Sequence, residues 1–193
     1  MKHLLTSFDL EKKLRKIPKF SRIYLMSGTG DNRLVQRNTE ALDSERLFTR
    51  VATKNLGSIS TKVTILNQQF DMPIGIAPVG MSGLIWPKAE FYLSEAAKKN
   101  NMPYCLSTVA CETPEGVFKT SAHTNWFQLY MPKDKAVLDD ILKRIEKNVS
   151  TLVLTADVPM PSRRESIVRG GIVIPFRFSF RLMFQALQKP HWL

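Results

Sequence analysis

The spacing of apolar positions changes near residue 72, and the change divides the chain in two. Before it, apolar residues recur at helical intervals. Ser7 predicts the cap of a helix through Leu10 and Leu14 that Pro18 stops, since a hydroxyl can take a free first-turn amide and proline cannot continue the ladder. A second short helix through residues 23–25 breaks near Gly28 and Gly30. Asp31 then predicts the cap of a third, with Leu34, Val35 and Leu42 on one face. From Thr61 the pattern alternates: Val63 and Ile65 point one way, and Asn67-Gln68 turns the chain into Phe70, a hairpin signal.

After Asp71 four short apolar runs follow: Ile74-Gly75-Ile76-Ala77, Tyr104-Cys105-Leu106-Ser107, Trp126-Phe127-Gln128-Leu129 and Leu152-Val153-Leu154-Thr155. Helical patterns separate them. One opens at Pro87 and runs to Lys99; a short one opens at Thr113-Pro114; one begins at Asp134, with Val137, Leu138, Ile141, Leu142 and Ile145 on one face. The runs start about 20 to 30 residues apart, which suits right-handed βαβ units and a parallel α/β fold. An open doubly wound sheet and a (β/α)8 barrel both fit that order. Each run ends in polar or special residues (Pro78-Val79-Gly80, Ser107-Thr108, Gln128 and Tyr130, Thr155 and Asp157), and barrels build their sites on that rim. No GxGxxG follows the first run, which weakens the dinucleotide-binding alternative. The expectation is one incomplete TIM (β/α)8 domain: N-terminal helices and hairpin over 1–72, the first four βα units over 73–169, and the start of the loop after strand four over 170–193.

Composition narrows the partners. Lys and Arg number 28 against 17 acids, a net charge of +11. The basic residues are spread along the chain without a long run, so a solvated basic surface is the reading and a nucleic-acid partner is not expected. Cys105 and Cys111 form no CxxC pattern and have no histidine at zinc spacing, so no metal site is expected; a reducing compartment fits both thiols. Met1–Leu10 lacks the apolar region of a signal peptide, and no stretch of about 18 apolar residues predicts a spanning helix.

The segments Met72-Pro73-Ile74-Gly75-Ile76-Ala77-Pro78-Val79-Gly80, Leu106-Ser107-Thr108-Val109, Trp126-Phe127-Gln128-Leu129-Tyr130, Leu154-Thr155-Ala156-Asp157-Val158-Pro159 and Arg163-Arg164-Glu165 stand in an order and spacing that resembles the FMN-dependent α-hydroxy-acid dehydrogenases and oxidases, the L-lactate dehydrogenase type above all. Tyr24–Gly28 resembles the N-terminal tyrosine-plus-glycine stretch of the same family. The resemblance covers essentially the whole chain. It implies an FMN barrel that oxidises an L-2-hydroxy acid, with L-lactate to pyruvate first. Such chemistry requires a protein that holds the flavin, holds the substrate carboxylate and accepts a proton.

By resemblance, Ala77, Pro78 and Val79 form the strand end whose backbone lies beside the reactive flavin edge. Ser107, Gln128 and Thr155 form the flavin hydrogen-bonding set, their hydroxyl and amide groups matching isoalloxazine donors and acceptors. Arg164 resembles the arginine that clamps the substrate carboxylate in a bidentate pair, with Arg163 as its surface neighbour. Tyr24 resembles a second carboxylate contact and Tyr130 the tyrosine near the substrate hydroxyl. The resemblance leaves the electron acceptor open between oxygen and a quinone. It implies homo-oligomers and a cytoplasmic protein that touches the inner face of the cell membrane through residues 170–193.

The departures matter as much. The family's base histidine motif, its fifth-strand lysine and its glycine-rich phosphate turns do not occur, and His3, His123 and His191 lack the context of a base. Ala156 stands where the family often has valine. The expectation is therefore a fragment with no catalytic base of its own, which made alone neither keeps FMN nor turns over lactate. Two alternatives stay open: a non-catalytic remnant, and another FMN-dependent barrel enzyme.

Overall fold

The structure is a computed structural model that describes residues 5–49, 51, 59–120, 122–157, 162–173, 177 and 179–193. In chain order its elements are α1 (Ser7–Lys13), α2 (Lys19–Met26), α3 (Arg33–Ser44), β1 (Val63–Ile65), β2 (Gln68–Phe70), α4 (Ala89–Lys99), β3 (Tyr104–Ser107), α5 (Pro114–Val117), β4 (Asn125–Tyr130), α6 (Lys135–Ile145), β5 (Thr151–Thr155), α7 (Glu165–Gly170) and α8 (Phe180–Leu187). They fall into two compact units, one of Met1–Ala52, Ile85–Pro87 and Met160–Leu193, the other of Thr53–Leu84 and Lys88–Pro159.

In the second unit, three of the four expected strands form a parallel sheet in the order β3-β4-β5. The first, Ile74–Ala77, is reduced to a single parallel bridge between Ile76 and Tyr104. Pro73 and Pro78 flank it and carry no N–H to extend a ladder. Register sets which side chains share a face: Trp126 pairs with Cys105 on one side and Thr151 on the other, Gln128 with Ser107 and Val153, and Tyr130 with Thr155. The alternate residues Tyr104, Leu106, Phe127 and Leu129 point the other way and close a core with Ala97, Val117, Phe118 and Ile145 from the helices. One face of the sheet thus buries apolar bulk under α4–α6 while the opposite face carries the polar groups.

The helices over that core begin where the chain offers caps. Thr113 accepts from the Gly116 amide at 3.2 Å to start α5, and Asp134 accepts from the Ala136 amide at 2.8 Å to start α6. The expected five-residue face of α6 is narrower: Leu138, Ile141 and Ile145 reach the core, whereas Val137 and Leu142 are exposed. Helix α4 begins at Ala89 rather than Pro87, because Lys88 adopts a left-handed conformation (φ 61°) ahead of it. The hairpin turn sits one residue earlier than expected, on Leu66 and Asn67 with φ of 52° and 61°. Two successive positive φ values are what a tight two-residue hairpin demands. Its Phe70 is buried against Trp126 and His123, with ring centroids 6.1 and 5.5 Å away.

In the first unit, the caps of two helices differ from the sequence reading. Thr6, not Ser7, caps α1: the Asp9 carboxylate accepts from both the Thr6 amide and its hydroxyl at 3.1 Å. Asn32, not Asp31, caps α3 from a left-handed conformation, and its Oδ1 accepts from the Gly28 amide at 2.8 Å. Leu34 and Leu42 of α3 are exposed. The tail expected as a loop holds α8, capped by the Ser179 hydroxyl on the Leu182 amide at 3.3 Å. Helix α8 docks on α2: the Phe20 amide donates to Gln185 Oε1 at 3.0 Å, and the Phe20 and Trp192 rings meet edge to face at 5.5 Å.

Candidate functional site

The polar face of the sheet converges at the C-terminal ends of β3, β4 and β5. Ser107 and Gln128 are buried there, at 5 % and 3 % exposure. Ser107 Oγ donates to Gln128 Oε1 at 3.2 Å, and Gln128 Nε2 donates to Thr155 Oγ1 at 2.7 Å. These bonds join the three residues singled out from the sequence into one chain across three strands. Among the described residues they leave one Nε2–H of Gln128 and the Thr155 hydroxyl proton unused. Those donors, beside the Ser107 hydroxyl, suit the carbonyl and ring-nitrogen acceptors of an isoalloxazine.

Thr108, named on the rim but given no role from the sequence, ties this rim together. Its Oγ1 donates to the Gln128 carbonyl at 2.5 Å and accepts from the Tyr130 amide at 3.1 Å. The side chain continues the β3–β4 ladder one residue past its last backbone pair, which places Tyr130 relative to Gln128. Ala77, Pro78 and Val79 follow the Ile76 bridge and are exposed. The segment after them is held by the Met81 amide donating to the Val109 carbonyl at 2.8 Å. On the same polar face, burial pushes the Cys105 thiol up to about 12, so near neutral pH it is an uncharged thiol and no nucleophile.

Tyr24 and Arg164 belong to the first unit. Tyr24 is half-buried on α2, and Arg164 is exposed immediately ahead of α7. Helix α7 lies close on α2: a Cβ added at Gly170 would come within 3.1 Å of Ile23 Cδ1. Arg164 Nε donates to Ser162 Oγ at 3.2 Å, and its neighbour Arg163 pairs with Glu165 at 3.2 Å, as the surface role expected for it requires. The Arg163 carbonyl accepts from the Gly30 amide at 3.2 Å, tying the Tyr24–Gly30 stretch to the arginine pair. Of the histidines, His123 bonds Asn101 at 2.6 Å and packs against Phe70 with its ring tilted by 42°, ahead of β4 and at the end of the sheet opposite the polar rim. His191 is exposed after α8, and His3 lies outside the described residues.

The fold and strand order agree with the comparisons to known proteins. Residues 14–193 match the FMN-dependent dehydrogenase family, and the chain belongs to that family. It is 34% identical over 178 residues to an L-lactate dehydrogenase of Vibrio parahaemolyticus and 35% identical over 179 residues to one of Xanthobacter autotrophicus, covering 92% of this chain in each case. Among solved structures it resembles the monotopic membrane protein (S)-mandelate dehydrogenase, with a TM-score of 0.85 and 28% identity over 98% of this chain. A mandelate oxidase structure matches with a TM-score of 0.79 at 26% identity over 91% of this chain. The fold is therefore part of the (β/α)8 barrel expected from the sequence. The chain spans about half the length of the relatives it matches, 46% of both lactate dehydrogenases and 51% of the mandelate dehydrogenase.

Proposed function

We propose that this chain supplies the flavin-facing rim and the carboxylate-binding groups of an enzyme that oxidises an L-2-hydroxy acid, L-lactate first, to the 2-oxo acid. The observation that carries the reading is the Ser107–Gln128–Thr155 hydrogen-bond chain on one polar sheet face. FMN, when bound, accepts the two electrons released from the carbon that bears the hydroxyl. Ser107, Gln128 and Thr155 hold and orient the ring edge through their hydroxyl and amide groups. The small side chains of Ala77, Pro78 and Val79 let backbone approach the ring closely. Arg164 binds the substrate carboxylate as a bidentate charge-assisted pair, and Tyr24 adds a hydrogen bond to it. Tyr130, set by Thr108, stands near the substrate hydroxyl. His123 is at the opposite end of the sheet and is not the proton acceptor.

The lactate assignment rests on relatives at 34% and 35% identity. An anaerobic titration of the protein in its full native length, with FMN bound, tests it: L-lactate bleaches the flavin absorbance and D-lactate does not. Bleaching by (S)-mandelate alone would transfer the assignment to an aromatic hydroxy acid, and no bleaching by either would overturn the reading.

The same reading places the protein on the inner face of the cell membrane. Among the described residues no helix is long and apolar enough to cross a bilayer. Helix α8 nevertheless leaves Phe180, Met183, Phe184 and Leu187 exposed at the i, i+3, i+4, i+7 spacing of one stripe. Arg177 and Arg181 beside it suit anionic headgroups. A membrane-bound site favours a quinone over oxygen as the electron acceptor.

A further inference from the structure

Glu90, in the first turn of α4, is fully buried (0 % exposed). A carboxylate there is favoured by the positive end of the helix dipole, yet burying a charge is costly unless it is well bonded. Its Oε1 accepts from two backbone amides, Gly83 N and Cys111 N, each at 3.0 Å. Its Oε2 has no partner among the described residues. An apolar residue in its place would leave both part-buried amides without this acceptor.

The two amides belong to different loops. Gly83 lies four residues past Val79, in the segment that leaves the first strand, and Cys111 lies three residues past Thr108, in the segment that leaves β3. The loops touch closely: a Cβ at Gly83 would sit 2.7 Å from Cys111 Cβ and 3.3 Å from Glu90 Oε2. The Met81 amide on the Val109 carbonyl is a further direct link between them, and the Leu84 and Gly83 amides bond the Cys111 thiol.

We propose that Glu90 is a positioning residue: one carboxylate oxygen latches these two loops together and fixes the spacing between the Ala77–Val79 backbone and the Ser107 and Thr108 hydroxyls. What that rim presents its groups to rests on the flavin reading above; the latch itself does not, and its test needs no flavin. Nothing in the helical pattern of α4 distinguishes Glu90 from the exposed Glu95, so the latch is visible only in three dimensions.

Amide hydrogen exchange, resolved residue by residue on the 193-residue chain, tests it. In the wild type, Gly83 and Cys111 exchange with matching protection, because one opening frees both. Glu90→Ala lowers the protection of these two amides by about tenfold or more and leaves Leu106 and Leu129 in the strands unchanged. Glu90→Gln keeps an acceptor oxygen in place and stays within about threefold of wild type. Gly83→Ala retains the carboxylate but forces the loops apart, and it loosens the same two amides. The proposal is overturned if Glu90→Ala leaves Gly83 and Cys111 protected, or if Glu90→Ala and Glu90→Gln weaken the strands as much as the loops. Should Glu90→Ala not fold, unequal protection of the two amides in the wild type, or an unchanged Gly83→Ala, overturns it instead. Failure to bind flavin with these protections intact counts against the flavin reading alone.

Discussion

Replacing Gln128 with methionine probes the polar rim where it is most tightly bonded. Methionine has nearly the same length and volume, so the change removes the amide and little else. Gln128 is 3 % exposed and its amide satisfies the Ser107 hydroxyl on one side and the Thr155 hydroxyl on the other. Its backbone carbonyl keeps the Thr108 amide at 3.0 Å, so that bond survives. Two side-chain partners are left facing a thioether, one fully buried and one partly. At about 1–3 kcal/mol for the buried group and about 1 kcal/mol for the other, the loss is about 2–4 kcal/mol. Transferring the larger apolar surface returns about 1 kcal/mol, which leaves a net destabilisation of about 1–3 kcal/mol. Urea unfolding followed by tryptophan fluorescence reads this directly, since Trp126 lies two residues away on the same strand face. With a slope of about 2 kcal/mol/M the midpoint falls by about 0.5–1.5 M. Ser107→Ala alone loses about 1 kcal/mol, and the double variant loses less than the sum of the two, because the shared bond is counted once. An unchanged midpoint in Gln128→Met, or strict additivity with Ser107→Ala, would refute a bonded rim.

Three further expectations follow from other parts of the structure. Gly75→Ala places a Cβ 2.7 Å from Pro103 Cγ and 3.0 Å from the Pro103 carbonyl; overpacking against ring and backbone costs about 1–3 kcal/mol, and an unchanged urea midpoint would exclude the close approach of the first strand. Arg144 bonds Glu115 through Nε–Oε1 at 2.6 Å and Nη2–Oε2 at 3.0 Å, and the Arg144 hydrogen bond holds the Glu115 carboxyl below its usual range. A depressed carboxyl stabilises the fold above its unfolded pKa and loses that contribution as pH falls through the folded value. Both groups are well exposed, so Glu115→Gln costs about 0.5 kcal/mol near pH 7, and the gap from wild type closes in acid; a gap that widens on acidification contradicts the pair. Phe184→Ser breaks the exposed stripe of α8, and flotation with anionic vesicles should drop by about tenfold with little change in solubility; equal flotation of variant and wild type removes α8 as the contact.

The architecture was legible where one physical signal dominated. Strands β3 and β4 announced themselves as short apolar runs because nearly all their residues are buried, β5 did so as a β-branched and leucine run although Leu152 and Leu154 are exposed, and Asp134 and Thr113 marked helix starts because their side chains take free amides. Signals that depend on backbone conformation were harder to read. Asn32 caps α3 only because it adopts a left-handed φ, and the Leu66-Asn67 turn puts leucine where glycine or asparagine is the usual choice. Helix α8 hid because its apolar residues face two ways, Leu182 inward and Phe180, Met183, Phe184 and Leu187 outward, which blurs a single stripe. At the site, Ser107, Gln128 and Thr155 were visible because three successive strands end on polar groups. The roles of Thr108 and Glu90 were not, since a hydroxyl that extends a ladder and a carboxylate that bridges two loops are defined by partners 20 to 22 and 7 to 21 residues away.

The most direct test of the central claim is the effect of Arg164→Met on flavin reduction by substrate. The protein in its full native length is loaded with FMN and mixed with L-lactate in the absence of oxygen, and the flavin absorbance is followed against lactate concentration. Arg164 is assigned to the substrate carboxylate and not to the flavin, so the variant should keep the cofactor and its visible spectrum. Loss of the paired charge costs about 3 kcal/mol, which raises the lactate concentration for half-maximal reduction by about 100-fold or more. Arg163→Met, which removes only a surface pair with Glu165, should leave that concentration within about threefold of wild type. If Arg164→Met reduces its flavin at the wild-type lactate concentration, or if the two arginine variants behave alike, the substrate site proposed for this chain is wrong.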